Sequence, residues 1–336
     1  MRILGLTHSF SGCGYHRISV PVCNLPKEYG RITDLSTDEV FENNYDIVYV
    51  NRLWDETIFE QREKFGFKLV LDLDDYWILD HDHMDYDNYR SNAYDSKVIS
   101  FMKRADLVTV THERIAEQVK SYNPNVLVVP NAIPYGWSQF TNEVEPSETV
   151  RLFWAGGISH ELDLKLLEQP MKIISNDKLN VSCVMGGYAD SNMTEMRIWD
   201  NMVKYFTCNG HIKNNIMRGL PVYEYYGFYQ FADIALIPLR KSMFNQYKSN
   251  LKILEAAGKG IPVIVSKTHP YLGFPEDLVN YAKDTADWVK HIKRLVDNPT
   301  LRKEQGQALQ EYCMKHYNFD QINKKRSEAF ESLLVV

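Results

Sequence analysis

Apolar residues in this chain of 336 residues come in short β-branched runs separated by longer amphipathic stretches. In the first part of the chain such runs lie at 3–7, 47–50, 69–73, 107–111 and 126–129, with helical spacing most evident at 97–103 and 113–122. Short unbroken apolar runs predict strands buried on both faces. Their alternation with amphipathic helices predicts a parallel sheet covered by helices on either side. Periodicity lapses over 131–147, where Pro134, Gly136, Asn142 and Pro146 gather, so a linker is expected there. A second series follows, with strands predicted at 150–155, 180–185, 222–225, 234–238 and 262–266 and helices at 163–175, 250–257 and 288–297. A long charged segment of helical pattern, 299–334, closes the chain. The expected fold class is α/β, with two Rossmann-like parallel-sheet domains at 1–140 and 148–314. Ligands of open α/β sheets gather beyond the carboxyl ends of the strands, so loops of both halves are expected to line a cleft between the domains.

Composition changes this picture little. The chain is 44% hydrophobic and 24% charged, ordinary for globular proteins, and too long for one ordinary core. No run of 18 apolar residues predicts a transmembrane segment. The opening residues enter a short strand and lack a long signal core, which points to the cytoplasm. Five scattered cysteines without a CxxC pair argue against a disulfide framework or a zinc site. The formal net charge is −6, and it divides unevenly: the first 140 residues hold 14 Lys and Arg against 21 Asp and Glu, the remainder 24 against 23. Such an acidic first half does not advertise a polyanionic partner.

The strongest chemical signal lies in residues 244–266. A polar loop opens the 250–257 helix, the helix carries Glu255, and Gly260-Ile261-Pro262 turns into the next strand. The first N–H groups of a helix lack intrahelical partners and carry partial positive charge, so Ser249, Asn250 and Leu251 are candidates to receive a diphosphate. Lys248 and Lys252 would add full charges, and Glu255, one turn deeper, can accept both hydroxyls of a ribose. The plain alternative is an amphipathic helix with solvated lysines and an i,i+3 pair between Lys252 and Glu255. After the first strand, Gly12-Cys13-Gly14-Tyr15-His16-Arg17 is a near match to GxGxxG, with Arg17 in the last glycine's place, or else a simple tight turn.

Beyond the 69–73 run stands an acidic cluster: Asp72, Asp74 and Asp75, then Asp80, His81, Asp82, His83 and Asp85. Three readings compete for it. Asp72 and Asp74 could hold a divalent ion on a diphosphate; Asp74 or Asp75 could touch a sugar; or the stretch is a solvated loop with a helix cap. His81 and His83 would ligate a metal only by folding back toward the carboxylates.

Along nearly its whole length the chain resembles the glycosyltransferase family 4 type of GT-B enzymes, notably the compact forms of bacterial and phage genomes. In that family a Glu ahead of an Ala-x-Gly-x-Pro-Val turn holds the nucleotide ribose, as Leu254-Glu255-Ala256-Ala257 through Gly260-Ile261-Pro262-Val263 would here. A second family Glu, eight positions earlier and contacting the donor sugar, is replaced by Tyr247. Ala105-Asp106-Leu107-Val108 and Val129-Pro130-Asn131-Ala132 resemble the end of the family's first domain. Phe153-Trp154-Ala155-Gly156-Gly157 resembles the strand and glycine turn opening its second. The resemblance implies that Gly12, Gly14, Gly156 and Gly157 approach the donor phosphates. His160, near a position where the family often has Arg, becomes a candidate phosphate or leaving-group contact, with a helix-entry histidine bonding backbone as the alternative. Tyr223 or Tyr225 would stack on the base, although most rings of 223–231 are expected in the core.

The resemblance further implies a GT-B fold whose terminal helix, 315–336, crosses back to the first domain. The implied activity is transfer of a sugar from a nucleotide-sugar, UDP-sugar ahead of GDP-sugar, to a hydroxyl of a glycan, lipid-linked sugar or protein. Configuration would be retained with no metal or further cofactor. Asp74, Asp75 and His160 are then the catalytic candidates, and Tyr15, His16, Arg17, His81 and His83 the acceptor contacts. Two alternatives stand beside this reading. One is transfer to hydroxymethylated DNA bases, against which the acidic first half counts. The other is a non-catalytic nucleotide-binding scaffold, supported by Tyr247.

Overall fold

The structure, a computed structural model, describes residues 1–8, 11–34 and 44–335. The chain forms two compact units. The first comprises Met1–Ala132, Tyr247–Ser249 and Tyr317–Val336; the second comprises Ile133–Gln246 and Asn250–His316.

The first unit is built on six parallel strands: β1 (Arg2–Thr7), β2 (Gly30–Asp34), β3 (Ile47–Asn51), β4 (Lys68–Leu73), β5 (Leu107–Val110) and β6 (Val126–Val128). Their order is β2-β1-β3-β4-β5-β6, so the chain reverses its direction of travel between β2 and β3. Alternate residues feed two cores, which explains why these strands read as unbroken apolar runs. Leu4, Leu6, Val48, Val50, Leu69 and Leu71 pack with Phe101, Ile115 and Val119 on one face. Ile3, Ile47, Tyr49 and Val70 meet Ile18, Val22 and Phe330 on the other. Phe330 belongs to the helix Phe319–Ser332, whose start is capped by the Asn318 side chain accepting from the Gln321 N–H at 3.0 Å.

The second unit repeats the plan with β7 (Val150–Ala155), β8 (Val181–Tyr188), β9 (Asn214–Arg218), β10 (Ile234–Ile237), β11 (Val263–Ser266) and β12 (Asn280–Ala282). The order is β12-β11-β10-β7-β8-β9, again all parallel. Leu152, Trp154, Met185, Leu236 and Ile264 of the sheet pack with Trp199 and Trp288 of flanking helices. The fold class is therefore the expected one, with two Rossmann-like parallel-sheet domains. No helix among the described residues is long and apolar enough to cross a membrane.

Several elements differ from the sequence expectation. Residues 222–225 are not a strand: a turn leads into the 3-10 helix Tyr225–Phe231, whose Tyr226, Phe228 and Tyr229 are buried. The place beside β8 is taken by β9, a strand with no apolar run. The predicted helix at 163–175 is broken into Glu161–Leu164, the 3-10 turn Lys165–Leu167 and Glu168–Asn176. The closing segment is two helices, Pro299–His316 and Phe319–Ser332.

Candidate active site

Polar side chains of the first unit concentrate around the carboxyl ends of β3 and β4. Asp72, fully buried within β4, accepts from Arg17 Nε at 2.9 Å and Nη2 at 2.7 Å, from Tyr49 Oη at 2.9 Å and from Thr109 Oγ1 at 2.6 Å. A carboxylate this deep is tolerated because it is paired and multiply hydrogen-bonded. Arg17 is 1% exposed and also donates to the Val129 carbonyl at 2.8 Å and Asn131 Oδ1 at 3.1 Å. The guanidinium proposed for an acceptor is thus turned into the interior. Asn131 in turn donates to Ser249 Oγ at 2.8 Å. The glycine segment is the start of a helix rather than a loop: Gly12–Gly14 runs through a π turn, Tyr15–Ser19, into Val20–Cys23. Gly12 is exposed, while Gly14, Tyr15 and His16 are buried.

Two residues beyond Asp72, Asp74 and Asp75 meet Arg52, the residue after β3. Arg52 Nε lies 3.0 Å from Asp74 Oδ1, and its Nη2 lies 3.2 Å from Asp74 Oδ2 and 2.6 Å from Asp75 Oδ2. Burial opposes ionisation of Asp74, yet Arg52, with hydrogen bonds from Cys13 and Asn51, holds its carboxyl well below the usual carboxylate range. The Cys13 thiol and the two carboxylates offer ligand atoms within 4.8 Å of one another. As a metal-donor set they are already engaged by the guanidinium. Burial pushes the Tyr89 hydroxyl up to about 12, with Arg52 opposing and Asp75, Asp95 and Asp74 reinforcing it, so this ring stands beside the same cluster. His81 packs against Tyr86 at 4.6 Å, and His83 Nδ1 accepts the Asp85 N–H at 3.1 Å. Neither histidine joins the Cys13–Asp74–Asp75 group.

Tyr247, which stands where the resembled family carries a sugar-contacting Glu, is a core residue of the first unit. Its ring stacks on Tyr76 at 4.2 Å with 13° between planes, Arg114 lies over it at 5.0 Å, and its carbonyl accepts from His112 Nε2 at 3.1 Å. Lys248 and Ser249 follow it, both half-buried.

In the second unit the candidate donor residues gather where the parallel strands end. β7 runs into Gly156-Gly157, and Gly186-Gly187 lie within β8 near its end. Gly187 has φ of 110°, and a side chain there would stand 2.3 Å from the Gly156 carbonyl oxygen, so the two glycine pairs meet backbone to backbone. The helix Leu251–Gly258 follows β10, with Asn250 as its N-cap residue. At its second residue, Lys252 Nζ donates to the Ala155 carbonyl and lies 5.8 Å from the Trp154 ring, which ties the helix start to the end of β7. Glu255 is 3% exposed and accepts from Tyr229 Oη at 2.8 Å. Burial pushes its carboxyl up, with Lys252 and the Tyr229 hydroxyl pulling the other way. Burial and the Glu255 charge together raise the Tyr225 hydroxyl, which places that ring near the carboxylate, whereas Tyr223 is 58% exposed.

His160 enters a helical turn after the Gly156-Gly157 pair, and its Nδ1 lies 2.8 Å from Asp163 Oδ2. The other oxygen of this buried carboxylate accepts the Arg240 N–H and the Asn245 side-chain amide, both at 2.9 Å. One carboxylate therefore joins the loops after β7 and β10. Sequence reasoning missed Arg52, Tyr89, Asp163 and Gly187. Signals did exist for three of them: a charge directly after a buried strand, a His-x-x-Asp spacing on one helical turn, and a Gly-Gly pair closing the 180–185 run.

Residues 188–325, less than half the chain, match a family described as glycosyl transferase-like. No curated protein matches the sequence. Among solved structures, sucrose-phosphate synthase from Thermosynechococcus elongatus is similar with a TM-score of 0.74 at 12% identity, covering 99% of each chain. HepE of Anabaena in complex with UDP-glucose is similar at 0.71 and 14% identity, over 99% of this chain and 100% of that one. An alpha-glucosyltransferase in complex with UDP and a 13-mer DNA containing an HMU base is similar at 0.66 and 12% identity, over 98% and 99%. The two parallel-sheet domains have the GT-B fold of these structures, and 188–325 carries the sequence pattern of a glycosyl transferase-like family.

Proposed function

We propose that the chain transfers a sugar from a UDP-sugar to a hydroxyl acceptor, with retention of configuration and without a metal. The observation that carries this reading is Glu255. A carboxylate is buried one turn inside a helix that starts beyond the parallel sheet's carboxyl edge, near Lys252, which itself reaches the Ala155 carbonyl ahead of the Gly156-Gly157 turn. Glu255 already accepts from Tyr229 Oη, and a carboxylate with two oxygens has further acceptor capacity for the two hydroxyls of a ribose. Ahead of it, the helix start with Lys248, Ser249, Asn250, Leu251 and Lys252 supplies positive potential for the diphosphate. His160, oriented by Asp163, adds a contact to the leaving group. Charge developing on the departing diphosphate is the main demand of such a reaction, and preorganised donors of this kind answer it electrostatically.

Asp74 and Asp75 are assigned to sugar hydroxyls, and Tyr15, His16, His81 and His83 lie in the same unit as acceptor-side candidates. Arg52 supports metal independence, because it takes up the carboxylate oxygens that a divalent ion would need. The favoured acceptor is a glycan, lipid-linked sugar or protein. Hydroxymethylated DNA is the second reading, because one similar structure was crystallised with HMU-containing DNA. The 14 basic against 21 acidic residues of the first 140 count against it.

The test is incubation with a panel of UDP-, GDP- and ADP-sugars, following nucleotide release, with mass spectrometry of candidate acceptors including modified DNA. Release from a UDP-sugar that is lost in Glu255→Ala is the expected result. No consumption of any donor would leave a non-catalytic nucleotide-binding protein.

A further inference from the structure

We propose that Arg52 is a positioning residue for the transfer reaction: it holds the carboxylates of Asp74 and Asp75 side by side to accept hydrogen bonds from sugar hydroxyls. This inference rests on the glycosyltransferase reading and adds a residue that reading does not contain.

Three observations converge on it. Arg52 follows β3 directly and has φ of 55°, in the left-handed region that an arginine rarely adopts. Such a backbone persists where surrounding contacts over-determine it. Here the turn aims the guanidinium at the end of the neighbouring strand β4, where it makes three hydrogen bonds of 2.6 to 3.2 Å to two adjacent carboxylates. Second, Arg52 is 42% exposed, and Asp75 and Tyr89 are half-buried, so the cluster is open on one side. Third, Arg17 cannot replace it: this guanidinium, also within electrostatic reach of Asp74, is committed to Asp72 in the interior.

The groups facing the pair are Cys13 from the helix after β1, Arg17 from the same helix, Arg52 from the β3 end, and Tyr89, itself influenced by Asp95. Apart from the two arginines, each is neutral or negative. With Arg52 removed, two adjoining carboxylates and a half-buried thiol would share one site, and one carboxylate would take up a proton. An ionised carboxylate only accepts hydrogen bonds, whereas a protonated one also donates. Loss of Arg52 would therefore convert half of a hydroxyl-reading surface into the wrong polarity.

The experiment compares the wild-type chain with Arg52→Gln and Arg52→Lys. Transfer from UDP-glucose is followed across pH, and the aspartate carboxyls are titrated by carbon NMR. In Arg52→Gln the acid limb of kcat/KM should move up by about one pH unit or more, one carboxylate should titrate correspondingly higher, and donor KM should stay within about two-fold. Arg52→Lys should return the acid limb close to wild type while turnover stays several-fold low, since an ammonium lacks the guanidinium fork. An Arg52→Gln enzyme with the wild-type acid limb, or with unmoved carboxyl titrations, overturns the proposal. If Arg52→Gln does not fold, Arg52→Lys decides, and wild-type turnover in it is the overturning result. Absence of nucleotide release from the wild-type chain with every donor overturns the transfer reading itself, and the inference falls with it.

Discussion

His160 and Asp163 sit one helical turn apart, with the imidazole Nδ1 2.8 Å from a carboxylate that is almost wholly buried. The same carboxylate accepts the Arg240 N–H and the Asn245 amide. It therefore fixes the ring that enters after β7 and the chain that leaves β10. The imidazole proton on Nδ1 is the one this pairing favours, which determines what the other ring nitrogen can offer a ligand. Replacing His160 by Gln should lower donor kcat/KM by about 10- to 100-fold, the scale of one charge-assisted hydrogen bond. Asp163→Asn should produce a loss of similar size with an added fall in melting temperature. Steady-state kinetics with a UDP-sugar check both, and an Asp163→Asn enzyme with wild-type donor kinetics would remove the orienting role.

Glu255 should discriminate ribose from deoxyribose. If its carboxylate receives two ribose hydroxyls, Glu255→Ala should raise donor KM by about 10- to 100-fold, at roughly 1.5–3 kcal/mol for hydrogen bonds to a charged group. The sharper check is a 2′-deoxy donor. The wild-type enzyme should prefer the ribonucleotide, and the Ala variant should treat the two alike. A variant that keeps the preference would place the ribose elsewhere.

Close backbone packing should make Gly306 intolerant of a side chain. A Cβ on Gly306, within Pro299–His316, would lie 1.9 Å from the Gly260 carbonyl oxygen, which belongs to the turn after the Glu255 helix. Backbone cannot move aside as a flexible side chain can. Gly306→Ala is expected to destabilise by about 2–3 kcal/mol and lower the melting temperature by roughly 5–10 °C. Gly227→Ala meets nothing within 4 Å and should stay within about 0.5 kcal/mol. Thermal denaturation of both variants distinguishes a packing constraint from a general intolerance of alanine.

His16 should make stability fall on the acid side of neutrality. Burial, with Arg17 beside it, lowers its imidazole from 6.5 to about 4. The unfolded chain then binds the proton more readily than the folded one. Stability is therefore full above 6.5 and is lost as the pH falls toward 4, by about 3 kcal/mol at most. His16→Gln should flatten this part of the profile. Urea unfolding of both proteins at several pH values between these limits provides the test, and parallel profiles would exclude His16 as the source.

The buried strands were legible because both of their faces are covered. Runs such as 3–7, 47–50 and 69–73 must be apolar throughout, and no other element of so few residues has that requirement. The strands that escaped notice, β2, β9 and β12, are all sheet edges. An edge needs backbone pairing on one side only and little continuous burial, so the polar Asn214–Arg218 left no apolar signature. The aromatic run at 222–225 misled for the opposite reason. Its rings suit a strand by composition, but those that follow are packed through a 3-10 turn.

The helix start, Glu255 and the following glycine turn could be read from sequence because backbone direction and charge there are consecutive along the chain. By itself the sequence determined the alternation of elements, and hence two Rossmann-like domains, together with the segment that carries the donor candidates. Only tertiary structure decided which charges remain outward. Arg17 and Arg52 look alike in sequence, yet one is sunk against Asp72 and the other opens onto Asp74 and Asp75. Partners such as Arg52 and Asp74 come from different strands, 22 residues apart, and their pairing exists only once β3 and β4 lie side by side in register. Sequence spacing encodes a helix face or a strand face, but the neighbour across a sheet is chosen by strand order, which no local pattern specifies.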